Sequence, residues 1–568
     1  MKIAERQLNR HEREKHCAVS DDPILSKIYQ SRGVLSEEDI QYRLSGLLPY
    51  KSMKGLDAAS RLLYSCYLEQ KTIIVIGDYD VDGATATSVM VAGLREMGLK
   101  HVSFIIPNRI TDGYGLTPKL VDRAHEQGAG LVITVDNGIV SYAGVDRAKA
   151  LGLSVLVTDH HLAGETLPDC VIVNPNQPEC EFESKSIAGV GVAFYVLIAT
   201  RAYFRSEGVF EKGPNLLAYL DLVALGTVAD CVRLDKNNRN MIANGLDIMR
   251  SGTARPGIKA LIQIAKRNPI WIESDDMGFS LAPRLNAAGR LDDMTIGVRC
   301  LLADNAHDAS AYATMLDGIN KERRQLQSDM TQEALDYVMN MQEIPACSVI
   351  CQPKWHEGII GLVASMIKER FHVPSIVLTQ DENPEVMKGS CRSIPGLNIR
   401  DILAEYDRRY PESLVKFGGH AMAAGLSMKA ADVSQFTREM AEICAQHISD
   451  DMKQKRLLVD GALPTSHKTL SFAKKLIRSG PWGNGFEKPV FYDEFELCDQ
   501  YLVGGKHLKV ILGEADQTYQ GIMFNIEEGQ WPNHHIKHVK AAYHLQVNEF
   551  NGKRTLQFLI VSMTPMAT

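Results

Sequence analysis

Between Thr72 and Val173 the chain alternates short, predominantly apolar runs with longer stretches of mixed spacing. The runs Thr72–Ile76, His101–Ile106, Leu131–Val135, Ser154–Val157 and Cys170–Val173 are rich in Val, Ile and Leu and read as strands. Ala84–Met97, Thr117–Gln127 and Ser141–Leu151 fit between them as helices. Strands that are apolar throughout and are separated by helices predict a parallel sheet covered on both faces. The expected fold class is therefore α/β, with any ligand at the carboxyl ends of the strands.

Ahead of this region, residues 1–70 read as a helical lead-in, with a start signal at Ser36, Glu37, Glu38 and Asp39. Beyond it, Tyr312, Leu316, Ile319, Leu326, Met330, Ala334 and Val338 recur three, four or seven apart. They predict one amphipathic helix over Asn305–Met341, about 55 Å long at about 1.5 Å per residue, a length that suits a strut between domains. A second α/β pattern follows, with strands at Cys347–Cys351 and Ser375–Leu378 and a helix at Ile359–Phe371. From about Leu457 the texture turns β-rich, with strands expected at Leu508–Leu512, Gly521–Phe524, Ala541–Val547 and Gln557–Val561, and a hairpin at Asn551-Gly552. The expected organisation is a lead-in over 1–70, an α/β domain over 71–304, a connecting helix over 305–342, a second α/β domain over 343–450 and a barrel over 457–568. No internal repeat or low-complexity linker interrupts it.

Composition narrows the function classes. With 62 basic and 69 acidic residues the net charge is −7, so a nucleic-acid partner would have to use local basic patches. The 11 cysteines form no C-x-x-C pair, which argues against a zinc knuckle and for buried thiols in a reducing compartment. The amino terminus lacks an apolar signal core, and the longest apolar run, near Gly189–Thr200, is too short to span a bilayer. The expectation is a cytoplasmic protein with no membrane contact. In the barrel region Trp482, Phe486, Phe524, Tyr543 and Phe550, near Lys474, Lys475, Arg478, Lys506 and Lys509, suit a single-strand-binding barrel. A barrel whose aromatics are all core has the same composition.

The candidate chemistry begins where the first strand ends, in Gly77-Asp78-Tyr79-Asp80-Val81-Asp82-Gly83. Three alternating carboxylates repel one another unless a cation lies among them. An EF-hand calcium loop begins in the same way, but its twelfth position requires a bidentate Glu and here is Val89. Asp136-Asn137-Gly138 follows the third strand and Asp159-His160-His161 the fourth, while an apolar helix over Leu216–Thr227 delivers Asp230. Any one acid could be a cap or a turn residue. Four groups converging on one sheet edge predict a metal site, and hard carboxylate oxygens with one or two imidazoles favour Mn²⁺ or Mg²⁺.

The blocks GDYDVDG, VDNG, TDHH and ALGTVAD resemble the four motifs of the DHH phosphoesterases. With IPNRITDGYGL and LAPRLNAAGRL, GDYDVDG is similar to the RecJ branch of that superfamily, single-strand-specific 5′→3′ exonucleases. KGSCRSIPG and KFGGHAMAAG resemble the substrate-gripping elements of a DHHA1 domain, and PWGNGFEKPVF the start of a RecJ OB domain. The resemblance implies a two-metal nuclease acting on single-stranded DNA with a 5′ end, in repair and recombination. It implies Asp80, Asp82, Asp136, His160 and Asp230 as metal ligands, Asp136 as the bridge, and Asp78 either as a ligand or as a partner of one. His161 would face the scissile phosphate and Asp159 would orient a neighbouring histidine. Adjacent residues at a strand's end point to opposite sides, which supports separate roles for the two histidines. Arg109, Arg284, Ser390, Arg392, Gly418, Gly419 and His420 match the positions that would grip the substrate and its 5′-phosphate, in a slot between two α/β domains. The resemblance leaves a single-strand-binding protein and a helicase open as partners, and a monomer is expected. Two readings compete: a DHH phosphodiesterase of short oligonucleotides or cyclic dinucleotides, and a non-catalytic single-strand-binding relative. Retention of every acidic and histidine block argues against the second.

Overall fold

The computed structural model describes residues 2–7, 19–526, 529–550 and 552–566. The chain divides into two compact units, a larger one of Glu5–Gly289, Asp293–Asp317 and Leu458–Thr568, and a smaller one built mainly of Gly318–Leu457.

In the larger unit, helix α1 (Leu56–Glu69) leads into strand β1 (Ile73–Ile76) and helix α2 (Val81–Glu96). There follow β2 (Val102–Ile105), α3 (Pro118–Glu126), β3 (Leu131–Val135), α4 (Tyr142–Ala150), β4 (Ser154–Thr158) and β5 (Val171–Val173). The sheet order is β2-β1-β3-β4-β5 and every pairing is parallel. The order reverses at β1, so the crevice beyond β1 and β3 is a topological switch point, where open α/β sheets bind ligands. Register aligns the strand ends: Ile76 lies opposite Thr134, and Val135 opposite Thr158.

One face of this sheet packs Ile74, Ile76, Val132, Val155 and Val157 against Leu120, Val121, Ala124, Val145 and Ala148 of α3 and α4. Helix α2, on the other side, is buried almost all round. Its small residues let neighbours come close: a Cβ on Gly93 would stand 2.3 Å from Leu197. Helix α5 (Gly189–Ser206) is that neighbour, and α6 (Leu220–Ala229) follows a short 3₁₀ turn at Leu216–Tyr219 and carries Asp230 as its C-cap. Helix α7 (Ala282–Leu291) is entered through a π-turn at Met277–Leu281. Ser36 and Asp39 form a capping box as the sequence suggested, but they open only the 3₁₀ turn Glu37–Ile40, not a longer helix.

Helix α8 (Ala306–Met339) runs for 34 residues, about 51 Å at about 1.5 Å per residue. In the smaller unit its Met330, Ala334 and Val338 pack on helix α9 (Glu357–Phe371), which follows strand β6 (Ser348–Cys351). The remaining strands are β7 (Ser375–Gln380), β8 (Val386–Arg392), β9 (Leu414–Gly419) and β10 (Ala423–Lys429), in the order β9-β10-β8-β7-β6. Only β6 and β7 are parallel, so this sheet is mixed. Cys391, Ala424 and Ile376 face a core with Tyr406 and Phe436.

In the larger unit, helix α10 (Leu470–Ser479) precedes a closed barrel. Its strands are β11 (Phe491–Val503), β12 (His507–Glu514), β13 (Gln517–Met523), β14 (His538–Phe550) and β15 (Lys553–Pro565). Phe491, Phe495, Tyr519, Tyr543 and Phe558 fill it, the Tyr543 and Phe558 rings stacking at 4.2 Å. Phe550 opposes Lys553 in the β14–β15 hairpin; Asn551 lies outside the described residues. Of the aromatics singled out from sequence, Trp482, Phe486 and Tyr543 are buried and Phe524 is half exposed; the Phe550 side chain is outside the described set. Trp482 and Phe486 stack on each other at 5.2 Å and flank Tyr29, serving the core that joins the lead-in to the barrel. Arg32 seals this junction with a buried ion pair to Asp460 at 2.7 Å. Among the described residues no helix is long and apolar enough to cross a membrane.

Candidate metal centre

The acidic loop takes its shape from the start of α2. Asp80 is the N-cap, its Oδ1 accepting from the Gly83 N–H at 3.0 Å, so the helix begins at Val81 and Asp82 lies in its first turn. Asp82 is buried and its carboxylate accepts the N–H groups of Gly189 (2.7 Å) and Val190 (2.8 Å), the exposed donors of the first turn of α5. Gly83 allows the loop to close, since a Cβ there would lie 2.5 Å from the backbone of Asp78. Two residues of α7 hold the loop from outside: Asn286 Oδ1 accepts from the Val81 N–H at 3.2 Å, and Gly289 abuts the Tyr79 carbonyl.

Asp136 follows β3 with φ 62°, a left-handed backbone rare outside glycine. Gly189 makes room for it, because a Cβ there would lie 2.6 Å from the Asp136 Cβ. From the end of β4, His160 Nε2 reaches to 3.1 Å from Asp136 Oδ1, 3.5 Å from Asp230 Oδ2 and 3.9 Å from Asp82 Oδ2. Three overlapping groups each bring their ligand atoms within 4.8 Å: Asp136, His160 and His161; Asp82, His160 and Asp230; Asp78, Asp80 and Asp136. The structure thus brings together Asp78, Asp80, Asp82, Asp136, His160, His161 and Asp230 from separate segments of the chain.

These residues fit a divalent-cation site. Asp136 Oδ1 and Asp230 Oδ2 are buried beside the His160 ring and accept no well-directed hydrogen bond among the described residues, a costly state for a carboxylate oxygen without a cation. Burial, reinforced by neighbouring carboxylates, raises Asp82 to about 7 and Asp230 to about 9, and drives Asp78 and Asp136 well above the usual carboxylate range. So many buried, mutually repelling acids are the electrostatic signature of a cation-binding cage.

Asp159 stands apart from the cluster as an organiser. Its Oδ1 accepts from the His160 N–H (2.7 Å) and the His161 N–H (3.1 Å) and lies 2.7 Å from His161 Nδ1, while Oδ2 accepts from the Ile139 N–H at 2.9 Å. Burial works against charge on both partners, but their contact wins: Asp159 is lowered and His161 is raised to about 9. The two histidine rings do not point to opposite sides; their centroids are 4.5 Å apart. The strand ends at Thr158 and residues 159–161 turn, so strand alternation no longer governs them.

Arg109 lays its guanidinium 4.3 Å over the ring of Tyr79, in the acidic loop. Arg284 is engaged at 2.9 Å by Asp317 and donates to the Ser280 carbonyl. The remaining substrate candidates belong to the smaller unit. There Arg392 donates to Ser390 Oγ at 3.0 Å and to Ser365 Oγ at 3.1 Å. Gly418 and Ser390 both oppose Gly425 in the sheet, with open space at the Gly418 Cα. Gly419 has φ 139°, and His420 is exposed.

Several supporting residues escaped the sequence reading. Tyr114 places its hydroxyl 3.4 Å from His161 Nε2, and it lies within the IPNRITDGYGL block. Asn176 Nδ2 donates to the His160 carbonyl at 2.6 Å and Asn174 Nδ2 to the His161 carbonyl at 2.9 Å. The paired asparagines of Asn174-Pro175-Asn176, directly after β5, were the available signal.

The chain matches three family models: DHH family, N-terminal domain, over residues 72–227; DHHA1 domain, over 329–446; and RecJ OB domain, over 459–562. It is 45% identical over 575 residues to the single-stranded-DNA-specific exonuclease RecJ of Salmonella typhimurium, covering 99% of this chain and 100% of that protein. The RecJ exonuclease of Escherichia coli K12 is 44% identical, covering 96% of each chain. The crystal structure of RecJ in complex with Mn²⁺ from Thermus thermophilus superposes with a TM-score of 0.82 at 27% identity, covering 100% of this chain and 80% of that one.

Proposed function

The chain belongs to the RecJ family of single-stranded-DNA-specific exonucleases, and from that premise we propose that it removes nucleotides from the 5′ end of single-stranded DNA by metal-dependent hydrolysis of phosphodiester bonds. One observation carries the proposal: carboxylates and an imidazole from separate segments of the chain meet at the switch point of a parallel sheet, with buried carboxylate oxygens that no well-directed hydrogen bond satisfies among the described residues.

Asp80, Asp82, Asp136, His160 and Asp230 would hold divalent cations, Mn²⁺ or Mg²⁺, with Asp78 beside them. When bound, such cations withdraw charge from the phosphate and bring the pKa of water toward about 7. The chain's own groups do the rest. The N–H groups of Gly189 and Val190 fix the Asp82 carboxylate, leaving it a single orientation. Asp159 keeps His161 protonated, and Tyr114 stands beside the imidazole. His161 then donates its proton to the leaving oxygen or to the developing charge on the phosphate.

In the larger unit Arg109 and Arg284 are the candidate contacts to the strand; in the smaller unit Ser390, Arg392, Gly418, Gly419 and His420 are the candidate phosphate-binding set. Arginine is suited to this by its fork of donors, and the glycines by the close approach their backbone permits. The protein is expected to act as a cytoplasmic monomer in repair and recombination.

The test is hydrolysis by the purified full chain of single strands labelled at the 5′ or the 3′ end, compared in EDTA, Mg²⁺ and Mn²⁺. Stepwise release from the 5′ end that requires a divalent cation is the expected result. Release from the 3′ end, or turnover in EDTA, would refute the proposal.

A further inference from the structure

The parallel sheet of the larger unit ends at β2, and among the described residues no strand pairs with its outer edge. The Ile73 N–H donates to the His101 carbonyl and the Gly77 N–H to the Ile105 carbonyl, so residues 101, 103 and 105 bond inward to β1. Alternate residues of the strand then present their backbone groups outward. Val102 and Phe104 therefore turn N–H and C=O away from the sheet, on an edge of the kind that folded proteins cover or blunt.

A groove of about 260 Å³ lies along this edge. Arginines reach it from both faces of the sheet. Arg95 comes from the last turn of α2, Arg299 from the helix Thr295–Leu302 packed beside α2, and Arg123 from α3 on the opposite face. Against these three, Asp293 is the single acid on the wall. Arg123 reaches Asp112 at 3.1 Å, but that carboxylate is shared with Lys119 at 2.7 Å. Arg95 spends Nε (3.1 Å) and Nη2 (2.7 Å) on the Val102 carbonyl, which leaves Nη1 for another acceptor. Neither Arg95 nor Arg299 has a carboxylate partner among the described residues. Guanidinium groups gathered on one groove repel one another, and a bound anion with several oxygens offsets that repulsion.

Two features select the anion. Arg95 already holds the Val102 carbonyl, so in this four-residue strand Phe104 alone offers both backbone groups outward. An extended peptide gains its affinity from a ladder of such bonds, so the edge suits a compact anion better than an added strand. The volume equals that of about nine water molecules at ~30 Å³ each, several times what a bare phosphate fills. Phe104, which is half-buried, lines the groove and supplies an apolar surface of the kind that takes a base. A strand with a 5′-phosphate, cut at its first internal phosphodiester, releases a mononucleotide that carries this group.

We propose that Arg95, Arg123 and Arg299, with the outward N–H of Phe104, bind a deoxynucleoside 5′-monophosphate at a site separate from the metal centre. The anion site stands on its own geometry; the choice of a product nucleotide as its ligand rests on the exonuclease reading above.

The probe is deoxyadenosine 5′-monophosphate, titrated calorimetrically into the full chain in EDTA. Deuterium exchange of residues 102–106, followed by mass spectrometry, reports where it binds. The nucleotide should slow exchange in that segment. Arg299→Ala, a change at an exposed position, should raise Kd about tenfold for the loss of one charged hydrogen bond, with melting temperature unchanged. Arg299→Glu should abolish the protection, while Arg392→Ala should leave it as it is, separating this groove from phosphate binding in the smaller unit. Unslowed exchange, protection that survives Arg299→Glu, or protection lost with Arg392→Ala would overturn the proposal. Equal affinity for inorganic phosphate would overturn the nucleotide as ligand, and tighter binding of a tetra-aspartate peptide would assign the groove to a peptide instead. A chain that binds the nucleotide here yet cuts no single strand in Mn²⁺ would refute the exonuclease reading and leave the site standing.

Discussion

Gly289 faces Tyr79 across the outer edge of the acidic loop, so closely that a β-carbon on Gly289 would stand 1.8 Å from the Tyr79 carbonyl oxygen. Helix α7 therefore acts as a rigid backstop for the residues that bring Asp80 and Asp82 to the cluster, and the contact depends on the absence of a side chain.

Gly289→Ala must displace the loop, because the obstacle is backbone and cannot rotate away. A displacement of about 1 Å at the reacting groups costs on the order of a hundredfold in rate. The expected result is a loss of about that size in kcat, with melting temperature lowered and Mn²⁺ binding weakened. Gly318→Ala in α8 is the control: nothing lies within 4 Å of its Cβ position, so the helix should gain about 1 kcal/mol from the better helix former and activity should not change. Activity and thermal unfolding of the two variants, measured side by side, check both statements; an active Gly289→Ala would remove α7 from the account of the site.

Asp136→Asn tests the centre of the cluster with little backbone disturbance, since asparagine accepts the left-handed conformation found there (φ 62°). Hydrolysis should fall to background while single-strand binding persists. Deleting one buried, mutually repelling carboxylate should also raise the melting temperature of the EDTA-treated protein by a few degrees and reduce the further rise on adding Mn²⁺. A variant less stable than the wild type in EDTA would contradict the charge-repulsion argument.

The same repulsion sets a pH dependence. Folding raises Asp82 to about 7 and Asp230 to about 9, against an unfolded value of about 3.8. A group with a raised folded pKa binds its proton more tightly when folded, so its contribution is fully present below about pH 3.8 and is lost as pH climbs through the folded value. The metal-free protein should therefore lose stability between about pH 4 and pH 9. Divalent cations replace the protons, so the gain in melting temperature on adding Mn²⁺ should be larger at pH 8 than at pH 5.5. Thermal scans at the two pH values, with EDTA or with Mn²⁺, check it; a gain that shrinks as pH rises would be the wrong sign.

The parallel sheet was legible because its strands are predominantly Val, Ile and Leu with no alternating polar face, and the acids were legible because they cluster at strand ends. Boundaries failed where a side chain decides them: α2 starts at Val81, ahead of the first clearly helical spacing at Ala84, because Asp80 caps it. Strand β11 was passed over because Asp493 stands within its buried row and Glu494 and Glu496 occupy the exposed one, leaving few consecutive apolar residues. The helix Lys236–Arg250, with asparagines at 237, 238, 240 and 244, looks like a loop by propensity. Those side chains are spent on tertiary bonds instead, as when Asn238 Nδ2 donates to the carbonyls of Ser186 and Arg233. Gly189 escaped notice for a related reason: it serves the site by leaving space beside Asp136, which leaves no local pattern. Asn286 and Gly289 lie in the LAPRLNAAGRL block, but their roles, bonding or making room for a backbone group on a distant part of the chain, cannot be read from it.

The smaller unit supplies the last prediction. Arg392 is tethered through Nε to Ser365 on α9 and through Nη1 to Ser390 on its own strand, and the two bonds together fix the plane of the guanidinium. Beside it, Ser390, Gly425 and Gly418 lie in one row across the sheet, and the absence of side chains on the two glycines leaves backbone open to an approaching group. A charged hydrogen bond is worth about 1.5–3 kcal/mol, or roughly ten- to 150-fold in affinity. Arg392→Ala should therefore raise KM for 5′-phosphorylated single strands by a factor in that range and erase the preference over 5′-hydroxyl strands, with the melting temperature barely moved. Arg392→Lys should recover little, because an ammonium lacks the planar fork that bonds both serines and holds its charge in one orientation. Kinetics on paired phosphorylated and hydroxyl strands decide the matter: unchanged discrimination in Arg392→Ala would take this arginine out of end recognition.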